Sequence, residues 1–306
     1  MKSYYRLMLG RRSIFAEQCF AGNFIGVDFD IYEDLTGNLP EDWREFNKKY
    51  IPIFLKNCPD KTKIGAGLAC GMLWTVAKGF LVGDMVLCPD GNGVYHVGEV
   101  TGDYFYTPGK DLFHRRPVKW LETTIARSEM SEALRRSAGS VGTISNITQY
   151  RDEIETLIKG TGNVIVDTSP VEDPVAFALE KHLEDFLVEN WSKTKLGKDY
   201  DIFEEEGEIV GQQYPTDTGP IDILAIRKDK KEILIIELKK GRASDAVIGQ
   251  ILRYMGFVMQ ELAEKDQSVK GVVIALEDDK RLRRALIASQ NIAFYRYQVD
   301  FKLLEG

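Results

Sequence analysis

The sequence predicts an α/β protein in two parts: a C-terminal mixed sheet flanked by helices, and an N-terminal small β-barrel domain. Three observations lead there. From residue 174 onward, apolar runs follow the order α-β-β-β-α-β-α-β, which describes a sheet covered by helices. Before residue 123, short β-like runs alternate with Gly, Asn, Asp and Pro, the punctuation of hairpins. Between the two lies a stretch with two short helical patterns and no strand pattern. The expected organisation is therefore a β-rich domain over 1–122, a helical connector over 123–173 and a second domain over 174–306.

Taken in order, the first strands are "FIGVDF", "DMVLCPDGNGVYHVGEV" and "DYFYTPG". The "PDGNG" between two apolar runs reads as a hairpin turn. One helix, from Gly65 to Lys78, interrupts them. In the connector, "SEMSEALRRS" is a short helix, "AGSVGT" breaks it, and "ITQYRDEIETLIKG" is a second helix closed by Gly160. "DTSPVEDP" reads as a loop. Pro174 then opens a helix with Val175, Leu179, Leu183 and Phe186 at helical spacing. The strands "EIVGQQYP", "IDILAIR" and "EILIIEL" follow. A helix from Ala243 to Glu264, the strand "GVVIAL", a helix from Asp279 to Ser289 and the strand "IAFYRYQV" complete the pattern.

Composition is that of a globular protein, 44% hydrophobic and 28% charged, with a net charge of -7. No overall basic footprint is present, so any polyanion contact has to come from a local basic groove. The four cysteines (Cys19, Cys58, Cys70, Cys88) show no CxxC spacing, which argues against structural zinc and for reduced thiols in a cytoplasmic protein. The N-terminus lacks the apolar core of a signal peptide. No stretch approaches the ~18 apolar residues of a membrane span.

The informative stretch is "IDILAIRKDKKEILIIELKKG", residues 221–241. Its polar turn centres between Asp229 and Lys230. An antiparallel hairpin with that centre sets Asp222 directly opposite Glu237, their Cβ atoms about 4.5–5.5 Å apart. Lys239, two residues on, shares the face of Glu237. Two opposed carboxylates raise each other's pKa unless a cation lies between them. A divalent ion satisfies both; Mg²⁺, for which Mn²⁺ can substitute, is usually held by one or two carboxylates, waters and substrate phosphate. A lysine beside such an ion can orient or deprotonate a water, or balance phosphate charge. These are the parts for metal-assisted phosphodiester hydrolysis. The bland alternative is a solvated Asp/Glu/Lys cluster at a strand end.

"GPIDILAI", "ILIIELKKG" and "AVIGQILRYMG" together resemble the PD-(D/E)XK nuclease superfamily, and within it the nuclease domain of NucS (EndoMS) endonucleases and Mrr-type restriction enzymes. The resemblance covers roughly residues 174–300 and implies a restriction-endonuclease-like sheet. It implies an Mg²⁺-dependent DNA endonuclease in which Asp222 and Glu237 bind the metal and Lys239 is the catalytic lysine. Gln250 and Tyr254, one helical turn apart, would support the site. The family also carries a metal-binding glutamate on the preceding helix. "LEKHLEDFLVEN" offers Glu180, which aligns best, with Glu184 in reserve. The family's Pro-Asp pair is absent, Pro220 standing two residues before Asp222.

DNA contact should be electrostatic. Between Arg227 and Arg253 eight basic residues face four acidic ones; Lys240, Arg242 and Arg253 are the candidates nearest the site, and such contacts position DNA without reading sequence. In the N-terminal part, "GDMVL", "VGEVTGDYFY" and "HRRPVKW" resemble a segment of restriction-system proteins built on small PUA- and EVE-like barrels. That resemblance implies an aromatic pocket for a flipped base. Its candidates are Phe24, Trp74, Tyr104, Tyr106 and Trp120, with Asp28 or Asp103 on the base edge and Arg115 and Arg116 on phosphate. The same aromatics suit a plain hydrophobic core. Three readings stay open: a nuclease in restriction, defence or repair with an N-terminal reader; a catalytically silent DNA-binding module on a nuclease fold; and a nuclease gated by a small nucleotide or protein partner. A homodimer is compatible with each.

Overall fold

A computed structural model describes residues 2–139, 142–160, 183–205 and 207–298. The chain divides into two compact units, Met1–Asp167 and Thr168–Gly306.

The first unit contains β1 (Tyr4–Leu7), α1 (Ala16–Gly22), β2 (Phe24–Val27), α2 (Trp43–Asn57), α3 (Lys63–Trp74), β3 (Met85–Pro89), β4 (Val94–Val100), β5 (Phe105–Tyr106), β6 (His114–Ala126), α4 (Glu132–Ala138), β7 (Ile144–Asn146) and α5 (Arg151–Lys159). One seven-stranded sheet runs β2-β6-β4-β3-β1-β7, with β5 on β6. Its hairpin β3–β4 falls where the sequence placed it, Pro89 opposite Tyr95. In that turn Asp90 Oδ1 accepts the N–H groups of Asn92 and Val94 at 2.7 and 3.1 Å. The long strand β6 serves three partners, β2 and β5 with its first residues and β4 with the rest. This bends the sheet, and among the described residues it forms a curled sheet, which supports the expected small barrel or curled sheet in part. β3 is buried on both faces: Val86 and Cys88 join the cluster under α2 and α3, while Met85 and Leu87 join the one under α4 and α5.

Two expectations need correction here. Residues 123–160 are not a connector: β6 reaches Ala126, β7 pairs with β1 (Arg6 opposite Ser145), and Leu134 and Ile154 are core residues of the first unit. Two helices, α1 and α2, were also missed. α2 holds Pro52 in its interior, which ordinarily costs a helix ~3 kcal/mol and hides the pattern. Phe46, Tyr50 and Phe54, four apart and all buried, supply the apolar face that offsets this, and Asp42 caps the Arg44 N–H at 2.7 Å. Gly160 closes α5 in the left-handed conformation, φ 67°, as expected.

The second unit contains a helix whose described residues are 183–189 (α6). β8 (Tyr200–Ile202), β9 (Glu204–Glu205), β10 (Glu208–Ile209), β11 (Gln212–Tyr214), β12 (Ile221–Arg227), β13 (Glu232–Ala243), α7 (Ala246–Phe257), β14 (Ser268–Asp278), α8 (Lys280–Ala288) and β15 (Ile292–Arg296) follow. The sheet runs β11-β12-β13-β14-β15, with β8 also on β12. It is antiparallel through β13 and parallel from β13 to β15. This is the mixed sheet the sequence predicts. "EIVGQQYP" is not one strand, however. It breaks at Gly211, where an added Cβ would lie 2.3 Å from the Leu224 carbonyl; the backbones cross too closely for a side chain. α7 starts three residues later than expected, because β13 stays paired with β14 as far as Ala243 opposite Asp278.

Candidate active site

Asp222 lies in β12, Glu237 and Lys239 in β13. The ladder sets Ile223 against Ile236 and Leu224 against Ile235. One step further along that register, Asp222 falls opposite Glu237, as the turn centre requires. Ile223, Ile236 and Leu238 belong to an apolar cluster on one side of the sheet; the three charged residues alternate with them and share the other side. The Glu237 side chain is 2% exposed and that of Lys239 32%, with Lys239 Nζ donating to Glu237 Oε1 at 2.7 Å. Asp222 Oδ2 accepts the Leu238 N–H at 2.7 Å, which fastens the aspartate to the backbone between the other two. Immediately after Lys239 the pairing with β14 slips: Lys239 opposes Ala275, but Arg242 opposes Glu277. A bulge here ends the regular ladder beside the lysine.

α7 covers the same side of the sheet. Ile251 and Met255 press on Gly271, where an added Cβ would lie 2.8 Å from one and 3.1 Å from the other. This seats Gln250 and Tyr254, whose side chains bond at 3.3 Å, Gln250 Nε2 donating. Burial raises the Tyr254 phenol above its ordinary range. The Gln250 bond opposes that, the Glu237 and Asp222 carboxylates add to it, and the Lys239 ammonium lowers it again. All three charges thus act on one hydroxyl, which stays protonated at neutral pH and is a hydrogen-bond donor.

Glu180 lies outside the described residues. Glu184 is 5% exposed on α6. Its Oε1 accepts from Gln212 Nε2 at 2.7 Å, and its Oε2 accepts from Gln213 Nε2. Gln213 Nε2 also donates to Asp222 Oδ1 at 3.2 Å. The reserve glutamate is therefore the one linked to Asp222 among the described residues. Neither glutamine was anticipated. The signal was present in "QQYPTDTGPID": a hairpin across that turn puts Gln213 opposite Asp222, and the observed pairs Gln212–Ile223 and Tyr214–Ile221 flank that position.

Among the described residues no group of three or more His, Cys, Asp and Glu side chains could hold a metal. The donors that do meet, Asp222 and Glu237, are hard carboxylate oxygens beside a lysine. That set fits Mg²⁺, which needs only one or two protein carboxylates and fills its shell with water and phosphate. Of the basic candidates, Arg253 is exposed on α7 one residue before Tyr254. Arg242 is exposed but pairs with Glu277 at 3.1 Å. Lys240 is half-buried, and its carbonyl accepts the Tyr297 hydroxyl.

The N-terminal candidates are largely reassigned. Arg115 and Arg116 are 8% and 4% exposed, so they are not phosphate grips. Arg115 donates to the Leu112 and Asp111 carbonyls at 2.8 and 2.7 Å and lies over the Phe24 ring, 3.8 Å from its centre. Arg116 donates to the Gly102 carbonyl at 2.9 Å and the Ala77 carbonyl at 3.3 Å. Phe24 is a core residue; Trp74, Tyr104 and Trp120 pack against the same cluster. Trp74 and Trp120 donate their ring N–H to the carbonyls of Pro40 and Cys19. Asp28 Oδ1 accepts the adjacent Phe29 N–H, and Asp103 is exposed. Of these candidates Tyr104 and Tyr106 both lie beside His114, with ring centres 5.9 and 5.4 Å from its ring.

His114 is fully buried. Its Nε2 donates to the Ile31 carbonyl at 2.7 Å, and its Nδ1 accepts the Tyr104 hydroxyl at 2.9 Å, which fixes the neutral tautomer. Burial pushes its pKa down from 6.5 to about 4, against the smaller upward pulls of the Ile31 carbonyl and Asp34. The unfolded chain therefore binds this proton more readily than the folded one. Stability is fully present above pH 6.5 and falls as pH drops toward 4, by about 3 kcal/mol for a shift of this size. Urea midpoints measured from pH 7 to 4 should fall, and the slope should flatten in His114→Gln; an unchanged slope in the variant would assign the loss to other groups.

Residues 5–148 match the family described as "Domain of unknown function (DUF8426)", and residues 179–302 match the Endonuclease NucS C-terminal domain. The second match falls within the second unit. Among curated proteins, Endonuclease NucS of Corynebacterium glutamicum (strain R) is 32% identical over 139 residues, covering 44% of this chain and 53% of that protein. The Corynebacterium aurimucosum NucS is 31% identical over 145 residues, 46% and 55% of the two chains. The chain thus spans about half the length of the NucS proteins it matches. Among solved structures, a repair endonuclease from Pyrococcus abyssi shares 13% identity at a TM-score of 0.31, over 69% of this chain and 66% of that one. An EndoMS–dsDNA complex shares 13% identity at a TM-score of 0.33, over 71% and 66%. No helix among the described residues is long and apolar enough to cross a membrane.

Proposed function

We propose that this chain is a DNA endonuclease of NucS type, dependent on Mg²⁺ or Mn²⁺ and acting in repair or restriction, with its N-terminal unit selecting the substrate. The observation that carries the reading is the meeting of Asp222, Glu237 and Lys239 across β12 and β13, within a domain that matches NucS along its length. Asp222 and Glu237 would hold the cation, with Glu184 the helix carboxylate nearest in the hydrogen-bond chain. When bound, the ion would neutralise phosphate charge and make a water more acidic.

The chain's own residues would do the rest. Glu237 orients the Lys239 ammonium, which can hold the attacking water or offset charge on the phosphate. Tyr254 and Gln250 offer donors to a phosphate oxygen beside them. Arg253, Lys240 and Arg242 would bind neighbouring phosphates. The aromatic rings around His114 are the feature of the first unit best suited to stack on a base, and they support the reader role.

The test is a cleavage panel of plain, methylated, hydroxymethylated, mismatched and single-stranded DNA, with Mg²⁺ or Mn²⁺ and with EDTA. Metal-dependent cleavage of one substrate class supports the reading. DNA binding without cleavage on any substrate would leave a binding module instead.

A further inference from the structure

We infer that Gln213 is a positioning residue that couples Glu184 to Asp222 and holds both carboxylates in the arrangement a divalent cation requires; the inference rests on the nuclease reading above. The register pairs place Gln213 in a row with Asp222 and Glu237 across β11, β12 and β13. Successive side chains on a strand normally point to opposite faces, yet Gln212 and Gln213 both donate to the Glu184 carboxylate. The backbone explains how. Gln213 has φ +51°, a left-handed conformation that is strained for a residue with a Cβ and that breaks the alternation of the pleat. Its one amide nitrogen has two hydrogens, and the two acceptors it meets are Glu184 Oε2 and Asp222 Oδ1. Asp222 is then held at both oxygens, by Gln213 on one and the Leu238 N–H on the other. A neutral double donor ties the two acidic groups together without adding a positive charge that would compete with a divalent cation for them.

Gln213 is itself exposed, so removing its amide should leave the core intact. The partners of metal-binding carboxylates typically carry about 10–100-fold in metal affinity. The probe is Mn²⁺ alone, titrated into the full chain without DNA, with free Mn²⁺ read by electron paramagnetic resonance. Gln213→Met, which keeps the length of the side chain and loses both N–H donors, should weaken Mn²⁺ binding about tenfold in a chain that still folds, with a somewhat lower melting temperature because the Glu184 and Asp222 carboxylates lose their shared donor. Gln213→Ala should match it. Should Gln213→Met bind Mn²⁺ as the wild type does, the inference is wrong while the nuclease reading stands. Should the wild type show no Mn²⁺ binding that Asp222→Asn removes, both fail together.

Discussion

Lys239→Ala is expected to lower strand cleavage by about 10²–10⁴-fold, the range for losing a positioned acid–base or charge-stabilising group, while DNA affinity changes only a few-fold. The reason is positional. Lys239 is the cation against Glu237, 2.7 Å from its Oε1, on the side of the sheet that Tyr254 also faces. The residues placed for phosphate binding, Lys240, Arg242 and Arg253, are untouched. Truncation leaves a buried carboxylate without this ion pair, so some loss of stability in the metal-free protein is also expected. Measuring DNA affinity and melting temperature beside the cleavage rate separates the effects. Cleavage within tenfold of wild type, with the protein folded, would remove Lys239 from the chemistry.

The second large effect concerns stability. Arg116→Met should destabilise the protein by about 3 kcal/mol, because hydrogen bonds to charged groups contribute about 1.5–3 kcal/mol each and this one guanidinium serves the Gly102 and Ala77 carbonyls. Methionine fills much of the volume but removes the donor from a buried carbonyl, that of Ala77, and a partly buried one, that of Gly102. A phosphate-binding arginine behaves differently: its loss reduces the salt dependence of DNA affinity by about one unit and leaves folding nearly unchanged. Urea denaturation and a salt titration of DNA binding, run on the same variant, decide between them. A shallower salt dependence at unchanged stability would return Arg116 to the DNA interface.

The contrast between these two residues shows what a sequence carries and what it does not. The Asp222–Glu237–Lys239 group was legible because a hairpin is local: the turn at Asp229–Lys230 fixes which residues oppose each other, and the side-chain period of two fixes which face they share. Gln250 and Tyr254 were named through the family resemblance, and helical spacing accounts for their standing one turn apart. Gln213 was missed although its pairing is just as local, because Gly211 splits its strand and the turn before Asp222 went unread. "HRRP" looked like a phosphate grip because arginines usually lie at the surface. Only the assembled first unit shows those guanidinium groups turned inward to backbone carbonyls. α2 was hidden by Pro52, whose local cost is outweighed by burial of Phe46, Tyr50 and Phe54 against residues distant in the chain.

By itself, then, the sequence determined the element order from β12 to β15, the strand register at the charged pair and the identity of the acidic and basic groups there, since each depends on spacings of a few residues. The tertiary structure alone decided that residues 123–160 complete the first sheet, that Arg115 and Arg116 are scaffold, and that Glu184 reaches Asp222 through Gln213. Those outcomes depend on which distant segments exclude water from one another, and no local periodicity encodes that.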